Sequence, residues 1–84
     1  MTTMRVTVKL FAILRDRAGV SALELELPAG ATVASASEML VAKLPAVREH
    51  LRNVAFAVNR SYTPATTPLN DGDELAIIPP VTGG

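Results

Sequence analysis

Apolar residues recur at every second position near both ends of this chain, and at helical spacing in one long stretch between. That distribution supplies strands for a sheet and one helix to cover it. Over residues 5–12, Val6, Val8 and Leu10 face one way and Arg5, Thr7, Lys9 and Phe11 the other. Over residues 21–27, Leu23, Leu25 and Leu27 face inward, and Glu24 and Glu26 outward. Residues 54–59 set Val54, Phe56 and Val58 against Ala55 and Ala57; residues 74–78 set Leu75 and Ile77 against Ala76 and Ile78. A half-buried strand gives this period of two, because successive side chains leave a pleated backbone on opposite faces.

The segments between read differently. Residues 14–18 suit a short helical turn that Gly19 stops, and the flanking strands then form an antiparallel pair. Pro28-Ala29-Gly30 ends the second strand. Thr32 is an N-cap for a helix over 33–44, where Val33, Ala36, Ser37, Leu40 and Leu44 share a face. Pro45 ends that helix or starts another, with Val47 and Leu51 on a further short turn. Residues 61–63 form a short edge strand, residues 64–68 are irregular, and Asn70-Asp71-Gly72-Asp73 is a turn before the last strand. The order predicts an α+β fold: a mixed sheet, first and last strands adjacent in its middle, and one main helix packed on one face. This is the β-grasp, or ubiquitin-like, arrangement. It predicts one domain over residues 1–80 and a flexible tail over 81–84.

Composition removes several functions. Eight basic and eight acidic residues balance, and aromatics make up 4% of the chain, so no nucleic-acid footprint is expected. No apolar run reaches membrane-spanning length, and residues 1–5 lack a signal-peptide pattern. Cysteine is absent, which removes disulfides, thiolate metal sites and a cysteine nucleophile and fits a cytoplasmic location. His50 reads as a surface residue beside Arg48 and Glu49. Glu24 and Glu26 lack a second acid–base group, and Asp71 and Asp73 serve the turn. No metal site and no self-contained active site are expected.

Two features remain. Phe11 and Ile78 lie on the outward side of the sheet, with Ala57 and Ala76, and with Tyr62 nearby. Contiguous apolar surface of this kind marks a protein interface. Lys9, Arg15 and Arg17 border it as a candidate basic rim, while each taken singly reads as ordinary solvated surface. The sequence ends Pro79-Pro80-Val81-Thr82-Gly83-Gly84. Two prolines with fixed φ make a stiff stalk, and residues without bulk let a terminal carboxylate enter a narrow channel.

The segments at 8–12 and 14–19, Ala57-Val58-Asn59, Pro68-Leu69-Asn70-Asp71-Gly72-Asp73-Glu74-Leu75 and the closing Pro-Pro-Val-Thr-Gly-Gly resemble the MoaD family, the small subunits of molybdopterin synthase. The resemblance spans nearly the whole chain and departs at residues 62–67, where extra threonines and a proline stand. It implies a sulfur carrier acting as the non-catalytic subunit of a sulfurtransferase, in a heterotetramer. An E1-like adenylyltransferase would use ATP to adenylate the Gly84 carboxylate, and a sulfur donor protein would convert it to a thiocarboxylate. The tail, Val81, Thr82 and Gly83, would carry that sulfur into the large subunit, where it is donated to a pterin precursor of the molybdenum cofactor. Phe11, Arg15, Tyr62 and Ile78 would form the partner interface. No cofactor would be bound by the chain itself. Carriers for thiamine or cysteine biosynthesis, a ubiquitin-like modifier and a β-grasp interaction domain with an inert tail share the outline.

Overall fold

In the computed structural model, which describes residues 2–80, the chain runs β1 (Thr3–Leu10), α1 (Ala12–Ala18), β2 (Ala22–Pro28), α2 (Val33–Lys43), a 3₁₀ segment (Pro45–His50), β3 (Ala55–Val58), β4 (Ser61–Thr63) and β5 (Glu74–Ile78). The sheet order is β2-β1-β5-β3-β4. β1 pairs antiparallel with β2, from Thr3 opposite Pro28 to Lys9 opposite Ala22. It pairs parallel with β5, from Thr7 opposite Glu74 to Leu10 opposite Ile77. A parallel pair needs a crossover, and the segment carrying α2 supplies it. The first and last strands therefore occupy the middle, as the order of elements predicts.

Register explains the core. Val6, Val8 and Leu10 of β1, Leu25 and Leu27 of β2, and Leu75 and Ile77 of β5 all fall on one face and are essentially inaccessible to solvent. Met4 extends that row. Val33, Ala36 and Leu40, at helical spacing on α2, cover it, with Leu14, Val47 and Leu69 closing the margins. Among the described residues no polar or charged residue is buried. The side chains of the core contribute through apolar burial, at about 25 cal/mol per Å² removed from water.

Turn chemistry fixes the ends. Gly19 stops α1 with φ 79, in the left-handed region, and its N–H donates to the Arg15 carbonyl. Thr32 caps α2: its Oγ1 accepts from the Ser35 N–H at 3.3 Å, and the Thr32 N–H donates to Ser35 Oγ at 3.2 Å. The Val33 and Ala34 N–H groups donate to the Thr67 and Ala65 carbonyls at 3.0 and 2.9 Å. The irregular stretch at 64–68 is thus a backbone cap. It satisfies the helix amides that no intrahelical carbonyl can reach.

Candidate functional site

The face of the sheet away from α2 carries the candidate site. Lys9 pairs with Ala76, Ala76 with Ala57, and Ala57 with Tyr62, so one row of side chains crosses four strands. Alternation puts this row opposite Leu75 and Ile77. Its two central members are alanines, which keep the floor low between larger neighbours. The result is a shallow depression of about 280 Å³. Phe11 and Ile78 stand at one end of it, and Arg60 and Tyr62 line it on the side of β4. Ala57, though on the open face, is only 6% exposed because those neighbours crowd it.

Phe11 reaches this face by a simple route. It follows β1 and keeps extended backbone, φ −129 and ψ 155, as the N-cap of α1. The strand's alternation therefore continues one residue further and turns the ring away from the core. Phe11 and Tyr62 are 42% and 75% exposed, two of the three large apolar or aromatic side chains left open to solvent among the described residues. Tyr62 sits on the short edge strand β4, which has no second neighbour to cover it. Large exposed aromatics around a low apolar floor are the composition of an interface centre.

The charges around the depression are specific. Lys9 Nζ lies 3.3 Å from Glu74 Oε2 on adjacent strands. Arg60 lines the same surface and occupies, with Asn59, the two-residue loop between β3 and β4. Asn59 ties that loop to the head of β5. Its N–H donates to the Glu74 carbonyl at 2.8 Å, its Nδ2 donates to Asp73 Oδ1 at 3.0 Å, and its Oδ1 accepts from the Glu74 N–H at 3.0 Å. Asp71 Oδ1 accepts from the Arg5 N–H at 2.8 Å, which locks the preceding turn onto β1. The acidic residues of this turn hold backbone amides, in keeping with a structural reading of that segment.

Of the residues singled out in the sequence, Phe11, Tyr62 and Ile78 come together here, over Ala57 and Ala76. Arg15 stands apart. It lies on α1, exposed, with Nε 3.9 Å from Asp16 Oδ1, and does not line the depression. Glu74 and Arg60 do line it and were not singled out. Alternation along β5 is the signal that finds Glu74, since it shares parity with Ala76 and Ile78. Arg60 has no such signal, because it belongs to a turn.

Pro79 and Pro80 leave β5 beside Ile13 of α1, His50 and Arg52. Val81, Thr82, Gly83 and Gly84, the tail inferred from the sequence, lie outside the described residues. Other grooves lie on the helical side, between α2 and the 3₁₀ segment, around Glu38, Val41 and Arg48. Among the described residues, no group of three or more His, Asp or Glu side chains is placed to hold a metal ion. No helix among them is long and apolar enough to cross a membrane.

A model described as the ThiS family matches residues 8–84. The molybdopterin synthase sulfur carrier subunit of Arabidopsis thaliana is 39% identical over 83 residues, covering 99% of this chain and 86% of that protein. In structure the chain is similar to SAMP1, the small archaeal modifier protein 1 of Haloferax volcanii. That match has a TM-score of 0.89 and 30% identity, and covers 95% of this chain and 99% of the other. It is also similar to a chain in the complex of subunits 1 and 2 of the molybdopterin-converting factor from Helicobacter pylori. There the TM-score is 0.68 with 26% identity, over 96% of this chain and all of that one. By the match over nearly its full length, and with molybdopterin synthase sulfur carrier subunits among its relatives, this chain belongs to the ThiS family.

Proposed function

We propose that this protein is the sulfur carrier subunit of a molybdopterin synthase, working at the Gly84 carboxylate. The observation that carries the reading is the family match. It runs through Gly84, and the relatives it brings are named for this role. A carboxylate is a poor electrophile, so the sulfur must be loaded in two steps. The Gly84 carboxylate attacks the α-phosphate of ATP on an E1-like adenylyltransferase and releases pyrophosphate. The acyl-adenylate then loses AMP to sulfide-level sulfur (HS⁻) supplied by a donor protein; the new C–S bond replaces the C–O bond to AMP and leaves a thiocarboxylate. In the large subunit that sulfur passes to the pterin precursor. With no cysteine in the chain, the terminus is the atom position that carries sulfur. The chain contributes the sulfur and its presentation, while its partners contribute the catalytic side chains. All of this takes place in the cytoplasm.

The depression over Ala57 and Ala76 is the docking surface in this reading. Phe11, Tyr62 and Ile78 fill pockets on the large subunit, and two such pairs form a heterotetramer. The Helicobacter pylori complex, in which a similar chain is joined to a subunit 2, supports a partner of that kind. Arg15, on α1, reaches the partner from outside the depression. Likeness to a small archaeal modifier protein favours a second reading, in which Gly84 joins lysine side chains as an isopeptide.

Intact mass of the protein isolated from its native cells separates the two. Replacement of one oxygen by sulfur adds about 16 Da and supports the carrier. Lysine-linked adducts without that species support the modifier. Deletion of Gly84 is expected to abolish sulfur transfer in a reconstituted synthase while the thermal midpoint stays within about 2 °C, because β5 ends at Ile78. Activity retained by the deleted protein would remove the terminal-carboxylate mechanism.

A further inference from the structure

The depression carries an uneven charge, and the excess has one source. Its lining includes two cations, Lys9 and Arg60, and one carboxylate, Glu74. Lys9 and Glu74 neutralise each other at 3.3 Å. Arg60 has no ion-pair partner among the described residues, so the surface keeps one positive charge in surplus.

The backbone of Arg60 adds an independent reason to look at it. Asn59 and Arg60 are the two central residues of a hairpin loop closed by Val58 opposite Ser61, and their φ values are 50 and 74. Left-handed values at both positions mark a type I′ turn, whose second position favours glycine. Any residue with a Cβ is disfavoured there. Turn formation therefore gives no reason for an arginine. What this position offers is a place beside the depression.

We propose that Arg60 selects the docking partner by charge: the surface that covers the depression presents a carboxylate to the Arg60 guanidinium. The proposal rests on the docking reading above. A guanidinium covered by an apolar surface loses hydration, and a counter-charge with hydrogen-bonding oxygens restores the balance. A carboxylate does so in a bidentate fork that matches the guanidinium plane. Lys9 is no substitute, since its ammonium already holds Glu74. A partner with a basic residue opposite Arg60 meets like charge at close range and is turned away. Arg60 acts here as a specificity residue and takes no part in chemistry at the terminus.

Titration calorimetry of the full chain against its cognate large subunit tests this, at low and at high salt. Arg60→Gln is expected to bind about tenfold more weakly at low salt, and Arg60→Glu about a hundredfold. Both differences shrink in part at high salt, since screening weakens a partly covered charge pair, though less than an exposed one. Arg60→Gly is the folding control. It suits the turn better, and it too binds about tenfold more weakly. Phe11→Asp is run alongside to test docking itself. If Phe11→Asp weakens binding while Arg60→Glu stays within twofold of the parent, docking stands and the charge proposal is overturned. If neither variant weakens binding, the docking reading fails and takes the proposal with it.

Discussion

Asn59 and Arg60 show two neighbouring residues answering to different demands. Asn59 tolerates a left-handed backbone, and its side chain closes two hydrogen bonds onto the head of β5. Asn59→Ala keeps the strained φ and loses both bonds. A loss of about 1–3 kcal/mol is expected in urea denaturation, and an unchanged midpoint would show that water replaces those bonds freely. Arg60 gains nothing locally from its φ of 74. Arg60→Gly removes the Cβ conflict and adds only the entropy of an extra glycine. It is expected to stabilise the domain by up to about 1 kcal/mol. A destabilised Arg60→Gly would mean that the arginine side chain packs usefully on the free monomer. Neither residue's role was legible in the sequence. Asn-Gly announces a type I′ turn, but Asn-Arg does not. The hydrogen bonds of Asn59 span fifteen positions or fewer in the chain, yet they depend on β3 and β5 being neighbours.

At the scale of elements, period two and period 3.6 carried most of the information. Each strand with a clean alternation is present, and α2 spans Val33–Lys43 with Thr32 as its cap. Phe11, Ile78 and Tyr62 converge because parity along β1, β5 and the β3–β4 hairpin assigns each to the open face. Two things escaped. Arg15 follows the rotation of α1, which a strand's parity cannot forecast. The stretch at 64–68 looked irregular because it works through carbonyl groups, which every residue type possesses. Those carbonyls and Thr32 share the amides at the start of α2. Thr32→Ala is therefore expected to cost about 1 kcal/mol, the usual value of one cap, because the Thr67 and Ala65 carbonyls still hold the first two amides. Thr32→Ser should restore it. A loss well above about 2 kcal/mol, read by thermal melting, would show that the Thr32 side chain also organises the loop.

Taken as one molecule, the chain has its proposed function divided between the sheet and the terminus beyond Pro79-Pro80. The sheet carries an aromatic-rimmed depression, the proposed docking surface, and the proposed chemistry lies at Gly84, four residues past Pro80. Four residues span at most about 14 Å, so docking sets where the carboxylate can arrive and the tail's bulk decides whether it can enter. Gly83→Val and Thr82→Ala test the second condition, since both leave the carboxylate in place. Valine adds a branched side chain and restricts the backbone. Alanine occupies less space than threonine and fits wherever threonine fits. ATP–pyrophosphate exchange by the activating enzyme reads the first chemical step directly, with each variant as acceptor. Gly83→Val is expected to slow exchange by about tenfold or more, and Thr82→Ala by less than about threefold. Equal rates for Gly83→Val and the parent would mean that the activating site receives the tail in open space. The demand for glycine would then have to arise at the large subunit, where single-turnover sulfur transfer from preloaded thiocarboxylate measures it separately.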